Sequence, residues 1–144
     1  MTKRPKFRVI EDTTSADFVF EAYGVSANEL FANCALACFY AMTDPATVDP
    51  AKDYELEVKG ETIEDLLYNY MAELIFIKDT EKVFLSQFDV DILPDNTALK
   101  AVARGERIDY NKHVIKTDVK AVTYHDLHVR VDKEGYSTRM ILDL

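Results

Sequence analysis

The sequence predicts an α+β fold, in which a largely antiparallel β-sheet packs against two main α-helices in one domain covering residues 1–144. The length of 144 residues suits a single hydrophobic core. Two segments before residue 82 have helical spacing of apolar residues, and the segments after it have strand character. Only four glycines and four prolines are present, which argues against long linkers between domains.

The two helices are predicted from their start signals and their apolar spacing. Ser26 and Glu29 form a capping box, in which the Ser26 hydroxyl bonds the Glu29 amide and the Glu29 carboxylate reaches back. This helix should end near Asp44, because a residue that precedes proline resists helical geometry. Thr62 caps the second helix. The apolar face of that helix consists of Ile63, Leu66, Leu67, Tyr70, Met71, Leu74 and Ile75.

The other predicted elements are strands. Strands are expected over 7–10 and 18–22 before the first helix, and over 54–58 between the helices. The strands expected after the second helix cover 83–92, 97–104, 112–116, 119–124, 127–131 and 136–142. Turns are predicted at Asp95-Asn96, Arg104-Gly105 and Lys133-Glu134-Gly135, because these residue types favour tight turns.

The charge of the chain restricts its partners. The net charge of −9 at pH 7 disfavours tight binding of nucleic acid, which is itself a polyanion. An acidic surface suits a basic protein partner or a divalent cation better. No apolar run approaches the ~20 residues needed to span a membrane. The basic start of the chain lacks the apolar centre of a signal peptide, so a cytoplasmic location is expected.

Cysteine and histidine do not form a standard metal pattern. Cys34 and Cys38 lie four residues apart in the first predicted helix, and His113, His125 and His128 have no zinc-ligand spacing with them. We therefore expect two buried, free thiols rather than a redox pair or half of a metal site. His125 and His128 would lie on opposite faces of a strand, so they are poor candidates for a shared metal.

Two stretches rich in oxygen ligands lie at opposite ends of the chain. Residues 12–17 are polar and end in Asp17, and Asp143 lies in an apolar strand, where a carboxylate is costly unless it is paired or binds metal. The α-carboxylate of Leu144 would add a second anionic group there. Hard cations such as Ca²⁺ or Mg²⁺ prefer such oxygen ligands. A polar loop and a frayed chain end explain the same pattern equally well.

Lys120 interrupts a strand-like run. It is interpreted either as a basic group presented to an anionic ligand or partner, or as a lysine on the solvated face of a strand. The chain contains no Ser-His-Asp order, glycine-rich phosphate loop or tandem cysteine pair.

Five short segments together resemble the signatures of one known family, the archeases, in the same order along the chain. The segments are Ser15-Ala16-Asp17, Gly24 with Glu29-Leu30-Phe31, Glu64-Asp65-Leu66-Leu67, the run from Lys120 to His125 (Lys-Ala-Val-Thr-Tyr-His), and Ile141-Leu142-Asp143-Leu144. The resemblance extends from about Glu11 to Leu144. Its most specific parts are the Lys-Ala-Val-Thr-Tyr-His run and the closing aspartate between aliphatic residues.

The resemblance implies a non-catalytic accessory protein of an RtcB-type tRNA-splicing RNA ligase. Such a protein promotes guanylylation and multiple turnover of the ligase and broadens its use of nucleoside triphosphates. It also implies a divalent-cation site formed by Asp17, Asp143 and the backbone of Leu144, occupied by Ca²⁺ or alternatively by Mg²⁺ or Mn²⁺. Lys120 matches the functional lysine of the family. Thr14 replaces the histidine of the first motif, which leaves the role of that histidine without a counterpart here.

Two alternative functions remain open at this point. The first is a small metal-dependent phosphoesterase that uses Asp17 and Asp143, although two-metal hydrolases need more carboxylates and histidines than can be assembled from this sequence. The second is a chaperone-like adaptor for RNA-modifying proteins, with the same fold and different partners.

Overall fold

The computed structural model describes residues 4–10 and 16–144, and it confirms the predicted α+β class. The two helices are α1 (Ala27–Met42) and α2 (Ile63–Glu81). The strands are β1 (Phe7–Val9), β2 (Asp17–Gly24), β3 (Lys52–Lys59), β4 (Val83–Ile92), β5 (Ala98–Arg107), β6 (Ala121–Val122), β7 (Val129–Asp132) and β8 (Gly135–Asp143). A short 3-10 turn, Pro45–Thr47, follows α1.

The strands divide between two antiparallel sheets instead of forming one. The larger sheet has the order β1-β2-β8-β6, and β7 also pairs with β8. The smaller sheet has the order β3-β5-β4. Helix α1 contacts β2 of the first sheet and β4 of the second, so it lies in the core between them. This position explains why residues on most sides of α1 are buried.

Both helices begin at the predicted caps. The Ser26 Oγ accepts a hydrogen bond from the Glu29 amide at 3.1 Å, and the Thr62 Oγ1 accepts one from the Asp65 amide at 3.1 Å. The capping box at α1 is incomplete, because the Glu29 carboxylate accepts from the Val25 amide at 3.4 Å and not from Ser26. These local contacts satisfy amide groups that have no partner inside a helix.

The predicted turn at Arg104-Gly105 is wrong, because both residues lie inside β5. Gly105 pairs with Leu85, next to a register shift in β4 between Leu85 and Gln87. A Cβ atom on Gly105 would lie 1.9 Å from the main-chain oxygen of Phe84. Glycine is needed here for a close approach of two strands rather than for a turn.

The predicted strand over 112–116 is also wrong. The amides of Lys112 and His113 both donate to the Asp109 oxygen, at 3.0 and 2.7 Å, which closes a turn at this place. The Lys116 amide then bonds to the Met42 oxygen at the end of α1, at 2.9 Å. The strands predicted over 119–124 and 127–131 are present, but are reduced to Ala121–Val122 and shifted to Val129–Asp132.

Two of the predicted turns are confirmed. Asn96 has a φ of 62° between β4 and β5, and Gly135 has a φ of 123° where the chain passes from β7 to β8. These left-handed conformations suit Asn and Gly. Neither helix of the described chain is long and apolar enough to cross a membrane.

Candidate functional site

The two acidic stretches from opposite ends of the chain meet in the larger sheet. Asp17 begins β2, Asp143 ends β8, and the two residues are direct partners in the antiparallel register. One residue further along, the Leu144 amide donates to the Ala16 oxygen at 3.0 Å. The structure therefore brings together all three residues of the predicted cation site.

The register places the Asp17 and Asp143 side chains on one face of the sheet and close together. In an antiparallel pair, bonded and non-bonded positions alternate, and side chains approach most closely at the non-bonded positions. Because Ala16 and Leu144 occupy a bonded position, the two aspartates occupy a non-bonded one. No hydrogen bond or ion pair joins either carboxylate to another residue in the described part of the chain.

This arrangement of donors fits a hard divalent cation. Like charges that face each other across two strands repel, and this repulsion is relieved when a cation lies between them. The main chain of Leu144 lies next to the pair and could supply a further oxygen. Within residues 4–10 and 16–144, no three side chains of His, Cys, Asp or Glu converge on one point. Thr14 and Ser15 lie outside the described residues.

Asp143 is not buried, although its place in an apolar strand suggested a costly buried carboxylate. Its side chain is exposed, because β8 alternates and directs Met140 and Leu142 into the core while Asp143 lies on the outer face. An exposed carboxylate carries no large burial cost. What distinguishes Asp143 is its position opposite Asp17.

Lys120 lies beside the aspartate pair. Its amide donates to the Asp143 oxygen at 2.8 Å, and the following residue, Ala121, is the register partner of Asp143 in β6. The Lys120 side chain is exposed and forms no hydrogen bond or ion pair with other described residues. Its ammonium group is therefore available to an anionic ligand or partner.

Lys78 is a buried charged residue near the site, and the sequence reasoning missed it. It lies on the buried side of α2 and is 4% exposed. Its ammonium group contacts the Asp118 carboxylate, the Val119 oxygen at 3.2 Å and the Asp79 carboxylate at 2.6 Å. Burial lowers the pKa of Lys78, but its hydrogen bonds to the two carboxylates outweigh this and raise the pKa above its ordinary value. The available signal was its spacing, four residues after Leu74 on the apolar face.

The segment between β6 and β7 is held against the start of α2. The Tyr124 ring stacks on Tyr68 with centroids 4.1 Å apart, and its hydroxyl donates to the Asp65 carboxylate. The Val129 amide donates to the Glu64 carboxylate at 2.9 Å. Partial burial and the bond to Asp65 raise the pKa of Tyr124 to about 12, so its hydroxyl stays protonated and remains a donor.

The cysteines do not form a reactive site. Cys34 and Cys38 are free and fully buried in α1. Burial raises the pKa of the Cys38 thiol to about 12 and also raises that of Cys34, so neither is a thiolate at neutral pH. His125 and His128 are exposed and lie outside this core.

A buried histidine belongs to a separate polar cluster. His113 is 4% exposed, and its Nε2 lies 3.0 Å from the Glu106 carboxylate. The same carboxylate lies 2.7 Å from the Lys112 Nζ and accepts from the Asp49 amide at 2.8 Å. The contacts with Lys112, Asp49 and His113 lower the pKa of Glu106 from its ordinary 4.5 to about 2. This cluster connects the end of β5 with the residues that follow it and with Asp49.

We expect the stabilisation by Glu106 to depend on pH. The folded pKa of Glu106 lies below its unfolded value, so its contribution is fully present above pH 4.5 and is lost as the pH falls through about 2. The difference in unfolding free energy between wild type and Glu106→Gln should shrink over that window in urea titrations. Lys112→Met removes the hydrogen bond that lowers the Glu106 pKa most, so this pKa should rise in an NMR titration. An unchanged Glu106 pKa in that variant would contradict the assignment.

The fold and the site together define a small α+β domain that carries an acidic pair where its first long strand meets its last. The model of the archease protein family (MTH1598/TM1083) matches residues 7–144. The chain belongs to the archease family, and the predicted resemblance is confirmed.

Relatives and solved structures agree with this assignment. The chain is similar to Protein archease of Sulfurisphaera tokodaii, with 37% identity over 96% of this chain and 99% of the relative. It is 41% identical to Protein archease of Methanothermobacter thermautotrophicus over 90% of this chain and 94% of the relative.

Two solved structures have the same fold. The solution structure of Methanobacterium thermoautotrophicum Protein 1598 has a TM-score of 0.83 and 37% identity, covering 96% of this chain and 99% of that one. The crystal structure of a Thermotoga maritima archease, described as a possible chaperone, has a TM-score of 0.64 over 100% of this chain and 98% of that one. At 19% identity, that second likeness shows the fold alone.

Proposed function

We propose that this chain is a non-catalytic accessory protein of an RtcB-type tRNA-splicing RNA ligase. In this function it promotes guanylylation and multiple turnover of the ligase, and it broadens the nucleoside triphosphates that the ligase accepts. Membership of the archease family and the motif resemblance support the proposal. The observation that carries it is the register pairing of Asp17 with Asp143, directly beside Lys120.

In the proposed mechanism, Asp17, Asp143 and the main chain of Leu144 hold a divalent cation, Ca²⁺, Mg²⁺ or Mn²⁺. A cation at this place supplies positive charge that can neutralise the phosphates of a nucleotide. The two aspartates would hold it at the outer face of the sheet, where Asp143 is exposed and accessible to a partner. The backbone of Lys120 lies beside the pair, and its exposed ammonium group suits an anionic ligand or an acidic surface of the ligase.

The net charge of the chain supports the proposal that it binds the ligase and not the RNA. With a net charge of −9, the chain is poorly suited to hold RNA, so the ligase binds the RNA and this chain binds the ligase. Two buried, free thiols are consistent with action in the reducing cytoplasm.

We expect cation binding and ligase stimulation to depend on the aspartate pair. Asp17→Asn and Asp143→Asn remove charge with little change in size, so each should abolish the rise in unfolding temperature produced by Ca²⁺. Each should also abolish stimulation of ligase guanylylation, measured in a single turnover with and without this protein. Asp91→Asn is the matched control: it lies in β4, is exposed and forms no ion pair among the described residues.

Three outcomes separate the candidate functions. If both aspartate variants stimulate the ligase as wild type does, the proposed mechanism is wrong and the cation is at most structural. If wild-type protein does not stimulate guanylylation at all, the adaptor function becomes the better candidate. Release of phosphate from a phosphoester by the isolated chain, abolished in both variants, would support the phosphoesterase.

A further inference from the structure

Lys78 is the only charged residue among the buried residues of α2 in the described chain. Burying an ammonium group is costly, and a single ion pair often fails to repay that cost. The lysine nevertheless lies 4% exposed, with Asp118, Asp79 and the Val119 oxygen around its Nζ. These contacts connect α2 to a segment about forty residues further along the chain.

The bonded segment leads directly to Lys120. Asp118 and Val119 are the two residues before it, and the Val119 side chain is fully buried. The Lys120 amide is in turn bonded to the Asp143 oxygen at 2.8 Å. The backbone around Lys120 is therefore held from two sides, by Lys78 of α2 and by Asp143 of β8.

We infer that Lys78 is a positioning residue, which fixes the backbone of the 118–120 segment and thereby sets the place of Lys120 beside Asp17 and Asp143. The inference rests on the proposed function for the role of Lys120 itself. Its structural part, the fixing of the segment, stands on the contacts of Lys78 alone.

Removing the charge of Lys78 leaves no buried carboxylate behind. The Asp118 and Asp79 side chains are 66% and 54% exposed, so water would solvate both carboxylates if the lysine were absent. A methionine has a similar length and would fill the buried space. Removing one partner of an ion pair is costly mainly when the other charge stays buried, which is not the case for these two carboxylates. Lys78→Met removes the hydrogen bonds to Asp118 and to the Val119 oxygen. Without them, the 118–120 segment should no longer be held in one position.

The first experiment measures hydrogen exchange of the Lys120 amide by NMR. In Lys78→Met, protection of this amide should fall about tenfold, as expected when a charge-assisted bond that holds the segment is lost. The matched control is Lys112→Met, because Lys112 also bridges two carboxylates, those of Asp49 and Glu106, at the other end of the same loop. In that control the Lys120 amide should exchange as in wild type. Unchanged protection in Lys78→Met would overturn the inference.

The second experiment is a double-variant cycle on ligase stimulation. Lys78→Met should lose most of the stimulation that Lys120→Ala loses. The double variant should stimulate the ligase no less than Lys120→Ala alone, because Lys78 acts only by positioning the ammonium group of Lys120. Both single variants should retain the thermal shift with Ca²⁺. Losses that multiply in the double variant would show that Lys78 acts independently of Lys120, and would overturn the inference.

The two proposals fail separately. If Lys120→Ala stimulates the ligase as wild type does, the proposed role of that lysine is wrong, while the exchange experiment still decides whether Lys78 fixes the segment. If Lys78→Met does not fold, Asp118→Asn replaces it. This change lies on the exposed partner of the same contact, so it tests the same tie without altering the core.

Discussion

Replacing Gly105 with alanine should destabilise the protein by about 3 kcal/mol or more, at the upper end of the cost of overpacking. The added Cβ would lie 1.9 Å from the Phe84 oxygen and 2.8 Å from the Leu85 Cα. Both are main-chain atoms of β4, so the steric clash can be removed only by moving the strand and not by rotating a side chain. Strand β4 pairs with β5 on both sides of the register shift between Leu85 and Gln87, so moving it would break ladder hydrogen bonds.

Urea denaturation measures this effect. Val102→Ile is the matched control, because it adds one methylene group on the partly exposed face of the same strand and should change the unfolding free energy by no more than about 0.5 kcal/mol. If Gly105→Ala also changes the unfolding free energy by no more than about 0.5 kcal/mol, β5 does not approach Phe84 as closely as described.

Leu67→Ala should cost roughly 2–5 kcal/mol, the range found when a buried leucine is truncated. Leu67 is fully buried on the apolar face of α2, where it belongs to the main core cluster. Truncation removes apolar contacts and leaves a cavity that the close-packed core cannot fill completely.

The comparison for Leu67 is Phe76→Ala in the same helix. Phe76 is 59% exposed, so its truncation should change the unfolding free energy by about 0.5 kcal/mol or less, although its side chain is larger. If both variants lose the same amount of unfolding free energy, burial does not determine how much a side chain of α2 contributes to stability. The urea dependence of the unfolding free energy should be the same in both variants if the unfolded state is unaffected.

The features that sequence reasoning predicted well are determined by near neighbours. The caps at Ser26 and Thr62 each depend on one hydroxyl and an amide three residues later, so the pattern is readable directly from the chain. The amphipathic face around Leu67 follows from helical periodicity in the same way. The fold class followed because these local elements leave few ways to bury their apolar faces.

The candidate site was predicted by resemblance and not by spacing. Asp17 and Asp143 are separated by almost the whole chain, and no local pattern states which strands pair or in which register. The same limit explains Gly105, which is required by a neighbouring strand and was interpreted as a turn residue. It also explains Lys78, whose partners lie in a distant loop, and the strand predicted over 112–116, where local turn bonds and contacts with α1 prevail.

The position of β8 determines when the site can exist during folding. This strand pairs with β2, β6 and β7, so three of its neighbours depend on the last strand in the described chain. Joining β2 to β8 closes a loop of nearly the full chain length. This closure costs conformational entropy, because the two strands are far apart in the sequence. A folding intermediate in which α1, α2 and the smaller sheet have already formed would still lack the aspartate pair. A cation held by the pair, as proposed above, would bind only chains in which the pairing of β2 with β8 is complete, and it would slow the separation of these two strands.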